Sequence, residues 1–125
     1  MTWEPELEEL RRRRALAHEL GGEERVARQR AAGKQTVRER IARVLDDGSF
    51  HETGELAGVG AYDDQGELTG FLPSNMLVGQ GRVEDRRVVV QADDFTVRGG
   101  AADAAIWQKL VWAEQAAHEL RVPLI

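Results

Sequence analysis

"NMLVGQGRVEDRRVVVQADDFTVRGGAAD", residues 75–103, decides how this chain is read. Apolar residues lie on both sides of the polar pair Glu84-Asp85, the pattern of two strands joined at a tight tip. "RRVVVQ" reads as a buried strand, and directly after it come Asp93, Asp94, Phe95 and then Gly99-Gly100, before a helical stretch begins. A strand, a glycine turn and a helix in succession leave backbone N–H groups where a ligand can meet them. Adjacent glycines allow positive φ and close approach to the backbone. Such a turn suits a phosphate, or an oxygen that gains negative charge during a reaction. Asp93 and Asp94 read either as a general-base pair or, the expected role, as turn formers and caps. Phe95 and Val97 read either as core residues, the expectation, or as ligand contacts, and Asp103 is expected in the first turn of the following helix, where its charge complements the dipole.

Outward from this stretch, "AADAAIWQKLVWAEQAAHEL" carries Ala104, Trp107, Leu110, Val111, Glu114, Ala117 and Leu120 along overlapping faces, so the helix is expected to be covered on both sides. "RVPLI" then starts a strand where the chain stops. Either Leu124 and Ile125 pair with a strand already present, or the sequence continues beyond them. The second is the expectation, because an unpaired apolar edge invites association. Upstream, "GVGAYDDQGELTGFL" has β-like runs with turn chemistry at Asp64-Gln65-Gly66.

The first third is helical in pattern. "PELEELRRRRALAHELGG" has an early proline, acids before bases, and a glycine stop. Its residues Leu7, Leu10, Leu16, Ala17 and Leu20 form a stripe over half a helical wheel. "EERVARQRAA" continues to Gly33. Thr36 followed three residues later by Glu39 is a capping box that opens a third helix, with Val37, Ile41, Val44 and Leu45 on its apolar face. Lys34 stands in the joint just before that helix, next to backbone donors fit for a phosphate.

The net charge of -5 is unevenly spread: residues 1–43 hold eleven Lys/Arg against eight Asp/Glu, and residues 44–125 hold six against fourteen. Between 25 and 43, seven cations face Glu39 alone. Two readings of that segment stand, a solvated helix face and a surface that receives an anionic partner. Nucleic acid is not the expected partner, since the basic stretch has no interleaved aromatics and the chain is acidic. No apolar run reaches the roughly 20 residues that span a bilayer, so no membrane partner is expected. With no cysteine and three scattered histidines, neither a disulfide framework nor a metal site is expected, and the cytoplasm is the default compartment. P-loop and G-x-S-x-G signatures are absent.

Three collinear stretches resemble one family, the biotin-dependent acyl-CoA carboxyltransferases of the acetyl-/propionyl-CoA carboxylase β-subunit type. They are "RQRAAGKQTVRERIARVLDDGSF", "NMLVGQGRVEDRRVVVQADDFTVRGG" and "AIWQKLVWAEQAAHELRVPLI", and the likeness covers about residues 23–125, the N-terminal portion of such a subunit. The resemblance implies an α/β, crotonase-like fold of ββα units. Residues 1–49 would be a helical arm and residues 50–125 the first part of a carboxyltransferase N-domain, an incomplete domain. It implies transfer of a carboxyl group from carboxybiotin to an acyl-CoA through a stabilised enolate. Gly99 and Gly100 would then lie beside the thioester, and Arg28, Arg30, Lys34 and Arg38 would be candidates for the CoA phosphates; Arg38 and Arg40 could equally serve intrachain ion pairs. No residue is assigned a catalytic role.

Biotin would ride on a partner carrier. The other expected partners are the biotin carboxyl carrier, a biotin carboxylase subunit and further copies of the chain in a homo-oligomer. Two departures stand out: Ala101 follows Gly-Gly where the family commonly has Ser, and residues 54–75 do not follow the expected short linker. The family's glycine-rich thioester loop and its second, biotin-side domain lie outside these 125 residues. The alternatives are a decarboxylase subunit using the same enolate chemistry in reverse, and a non-catalytic interaction module.

Overall fold

Alternation along residues 76–93 builds the hairpin at the centre of the fold. A computed structural model describes residues 1–101 and 104–125, without the side chains of 104–106, so the role expected for Asp103 and the face expected for Ala104 lie outside the described residues. The elements run α1 (Glu4–His18), α2 (Glu23–Ala31), α3 (Val37–Val44), β1 (His51–Thr53), β2 (Gly58–Tyr62), β3 (Leu68–Pro73), β4 (Met76–Val83), β5 (Arg86–Asp93) and α4 (Ala104–Leu120), with a 3-10 turn at Arg98–Gly100. β4 and β5 pair antiparallel with Met76 opposite Asp93 and Val83 opposite Arg86, and β1 pairs antiparallel along the other edge of β4.

The hairpin tip is a two-residue turn in which Glu84 and Asp85 both take positive φ, 49° and 65°. That is the twist a tight hairpin needs, at a cost of about 1–2 kcal/mol for each residue that is not glycine. Asp46 offsets the cost: its carboxylate accepts the Glu84 N–H at 2.9 Å and the Asp85 N–H at 2.7 Å.

A period of two sorts the sheet residues into two cores. Leu77, Val88 and Val90 face Val37, Ile41 and Leu45 of the α3 region, joined by Leu20. Met76, Val78 and Val89 face Ala113 and Ala117 of α4. The sheet is therefore covered by α3 on one face and α4 on the other, and each buried aliphatic side chain contributes about 1.5–3 kcal/mol. The capping box forms as read: the Thr36 hydroxyl accepts the Glu39 N–H at 3.2 Å.

Residues 54–75 form a hairpin of their own, β2 with β3, whose turn is held by Asp63 accepting the Gln65 and Glu67 N–H groups. Helix α1 packs on β3, and the Arg13 guanidinium lies 5.6 Å from the Tyr62 ring centre. Ala17 and Leu20 are buried, but Leu7 at the start of the same stripe is exposed.

Leu124 forms a parallel bridge with Val89, and the N–H groups of Val89 and Gln91 donate to the Pro123 and Ile125 carbonyls, so the last residues pair along the free edge of β5, a strand already present. Two expectations are corrected. Helix α4 is not covered on both sides within this chain: Ala113 and Ala117 are buried, whereas Trp107 is 67% exposed and Leu120 is also exposed. Phe95 is not a core residue; it is 58% exposed, while its neighbours Asp94, Thr96 and Val97 are buried. No helix among the described residues is long and apolar enough to cross a membrane.

Candidate functional site

The turn after β5 is built by Asp94. Its carboxyl group is 1% exposed and Oδ1 accepts both the Thr96 N–H at 2.9 Å and the Thr96 hydroxyl at 2.6 Å, the turn-forming role expected of it. The Thr96 hydroxyl in turn accepts the Gly21 N–H at 2.9 Å. One short relay therefore ties the joint between α1 and α2 to the turn. Beyond it, Arg98, Gly99 and Gly100 take positive φ in succession, 49°, 60° and 75°. Glycine is needed at two of these three positions for the conformation alone. The turn is closed by Gly100 N–H to Val97 carbonyl at 3.0 Å and Ala101 N–H to Arg98 carbonyl at 3.1 Å. Neither bond uses the Gly99 N–H.

Across from this turn lies α2. A groove of about 510 Å³ is lined by Arg25, Arg28 and Lys34 on one side and by Phe95, Arg98 and Gly99 on the other. A second groove of about 610 Å³ shares Gln29, Lys34 and Phe95 with it and adds Arg40 and Arg43. No carboxylate among the described residues lines either groove. Arg28 also pairs with Glu24 at 3.1 Å on the exposed side of α2, yet the excess of cations over carboxylates along the two grooves creates a positive potential that draws anions.

Of the residues picked from sequence, the fold thus brings Arg28, Lys34 and Gly99 together. Gly100 lies behind them: a Cβ built on it would be 3.3 Å from the Phe95 ring. Arg30 and Arg38 are directed elsewhere. The Arg30 guanidinium donates to Glu39 at 2.9 Å, and this pairing, with help from Thr36, holds the Glu39 carboxyl below its ordinary value. Arg38 donates to both Glu52 oxygens, at 2.9 and 3.2 Å, in a largely buried pair between α3 and β1. Lys109 of α4 completes that buried patch, donating to the Met76 carbonyl at 2.7 Å. Burial pushes its ammonium pKa down, Glu52 opposes the shift and Arg38 adds to it.

His18 and Glu55 are 3.0 Å apart with Glu52 within reach, a cluster no sequence spacing reveals. Glu52 also serves Arg38, and the His18–Glu55 hydrogen bond connects the end of α1 to the segment just after β1. Sequence reading passed over Arg25 and Arg98 as site residues. Arg25 carried a signal, since Arg25 and Arg28 are three apart on one helix and share a face.

Residues 28–125 match the carboxyl transferase domain family. This chain belongs to that family. It is 38% identical over its whole length to the carboxyltransferase subunit of propionyl-CoA carboxylase from Haloferax mediterranei, covering 24% of that protein. It is 33% identical over 99% of its length to the α subunit of methylmalonyl-CoA decarboxylase from Veillonella parvula, again covering 24%. Among solved structures, the 12S transcarboxylase core, a hexamer seen with methylmalonyl-coenzyme A and methylmalonic acid bound, superposes with a TM-score of 0.84 at 32% identity, over 99% of this chain and 24% of that one. The fold is accordingly the crotonase-like fold of these carboxyltransferases, here with helices leading into the sheet. The chain spans about a quarter of the length of the carboxyltransferase relatives it matches. The match to the Haloferax subunit runs through residues 54–75 as well as the three motifs.

Proposed function

We propose that this chain is part of an acyl-CoA carboxyltransferase subunit, with residues 1–49 as a helical arm and residues 50–125 as the first part of the carboxyltransferase N-domain. The observation that carries the reading is the facing of Arg28 and Lys34 across one groove from Gly99. The cationic side receives coenzyme A phosphates. The glycine turn lies towards the thioester, where a backbone N–H stabilises oxygen charge as the enolate forms. Gly99 is the donor of the pair, because the Gly100 N–H is already spent on Val97. Arg30 and Arg38, each held by a carboxylate, contribute through fold rather than contact.

Biotin on a partner carrier would supply the carboxyl group. The grooves of this chain fit a polyanion rather than biotin's neutral ureido ring, so no step here runs through biotin. A biotin carboxyl carrier, a biotin carboxylase subunit, self-association and a cytoplasmic location belong to the same reading.

The likeness to a methylmalonyl-CoA decarboxylase subunit supports a second reading, the same enolate stabilisation used after loss of CO2. Titration calorimetry with coenzyme A tests what both share. Arg28→Glu and Lys34→Glu are expected to weaken binding at least tenfold each, and Arg30→Glu to change it less than threefold once folding is verified. Equal losses from all three would remove the groove from the account. Carboxyl transfer from a carboxybiotin-bearing carrier to propionyl-CoA, against release of CO2 from methylmalonyl-CoA, separates the two directions.

A further inference from the structure

A histidine and two carboxylates from separate segments meet where the end of α1 approaches the start of the sheet. His18 Nε2 lies 3.0 Å from Glu55 Oε1, and an oxygen of Glu52 completes a trio whose ligating atoms all lie within 4.8 Å of one another. Gly54 makes the arrangement possible: its φ of 72° turns the backbone between Glu52 and Glu55, and both carboxylates come to the His18 side. One imidazole nitrogen and two carboxylate oxygens are a donor set suited to zinc. Donors about 2.0–2.2 Å from one tetrahedral ion stand about 3.3–3.5 Å apart, so His18 and Glu55 are already spaced for one ion within a few tenths of an ångström. The Glu52 side chain is largely buried and fixed, whereas His18 and Glu55 are partly exposed and have room to close on it.

We propose that His18, Glu52 and Glu55 bind one zinc ion, with water in the remaining position, and that the ion fastens the helical arm to the sheet. Arg38 does not exclude it. One guanidinium nitrogen donates to both Glu52 oxygens, and a carboxylate has about four acceptor sites, so each oxygen keeps a lone pair for a metal. Arg38 instead fixes the carboxylate, the kind of support that ligating carboxylates ordinarily have. Its charge, with that of nearby Lys109, offsets part of the negative charge and sets the affinity below that of a fully anionic site. Water reaches the ion through a groove of about 540 Å³ lined by His18, Glu23, Thr36, Arg38 and Glu39. Helix α1 buries only Ala17 along its 15 residues, so a metal tie at its C-terminal end holds the arm where packing supplies little. The site is independent of the coenzyme reading, because none of its three ligands lines the grooves beside the glycine turn.

The test is a zinc titration of the untagged chain by calorimetry, with amide hydrogen exchange measured with and without the metal. The unsubstituted chain is expected to take up one zinc ion, and exchange along α1 is expected to slow when it does. His18→Ala and Glu55→Gln leave the Arg38–Glu52 pair in place, so each is expected to keep the fold, verified by circular dichroism. Each is expected to weaken zinc binding about tenfold or more and to abolish the slowing along α1. His51→Ala and His118→Ala, which change the other two histidines, are expected to stay within about twofold of the parent. Absence of saturable zinc binding, undiminished binding in His18→Ala or Glu55→Gln, or an equal loss in His51→Ala or His118→Ala would overturn the site. Zinc binding that needs His18 and Glu55 but leaves α1 exchange unchanged would overturn the fastening role.

Discussion

The Gly21 N–H donates to the Thr96 hydroxyl at 2.9 Å, and the approach is so close that a Cβ on Gly21 would stand 1.9 Å from the Thr96 carbonyl oxygen. This contact links the α1–α2 joint to the turn that carries Phe95 and Gly99. Gly21→Ala must push two backbone segments apart, so it is expected to destabilise the fold by about 1–3 kcal/mol. It should also weaken coenzyme A binding, because Arg25 and Arg28 move with the joint. Urea denaturation of the variant reads the first effect and calorimetry the second; an unchanged midpoint would mean the joint is looser than described.

Thr96→Val keeps the shape of the side chain and removes both of its hydroxyl bonds. The Gly21 N–H then loses its acceptor and Asp94 loses a donor, a cost of about 1–3 kcal/mol for a group left unsatisfied in a part-buried place. Thr96→Ser keeps the hydroxyl and is expected to recover most of that loss. If Ser and Val are equally destabilised, packing of the lost methyl rather than the relay holds the turn.

At the far end of the sheet, the β4–β5 tip depends on Asp46. Asp46→Ala removes the acceptor of two N–H groups and is expected to lower stability by about 1–3 kcal/mol. The double change Glu84→Asn, Asp85→Gly suits the positive φ values directly and should raise the melting temperature of the Asp46→Ala protein by several degrees. No recovery would show that the tip conformation was not under strain.

Lys109 gives a pH dependence with a definite sign. Its ammonium pKa is depressed from 10.5 in the fold, first by burial, so between the lowered value and 10.5 the unfolded chain binds more protons than the folded one. Stability therefore rises with pH across that window, and the contribution is lost as pH falls through the folded-state value. Lys109→Met should flatten this rise in alkaline denaturation series, and a slope identical to that of the parent would place its origin elsewhere.

The hairpin and the capping box were readable because their signals are local. Alternation in 76–93 needs only adjacent residues, and Thr36 with Glu39 only one helical turn. What escaped was set by distance along the chain. Leu124 pairs with Val89 in parallel, across the whole of α4, and nothing near "RVPLI" names that partner. Phe95 lies in a turn, where no periodicity separates inside from outside, so its apolar character suggested burial. The groove itself joins α2, Lys34 and the 95–99 turn from over 60 residues apart. Arg38 looked like Arg28 in sequence because Glu52, its partner, belongs to β1.

The central claim, that α2 and the glycine turn together receive coenzyme A, is tested most directly by amide chemical-shift mapping of the chain during a coenzyme A titration. Shifts clustered at Arg25, Arg28, Lys34, Phe95 and Gly99, saturating together with one dissociation constant, are the predicted result. Saturable shifts confined to the β2–β3 hairpin or to the Arg38–Glu52–Lys109 patch, or no saturable shifts, would contradict it.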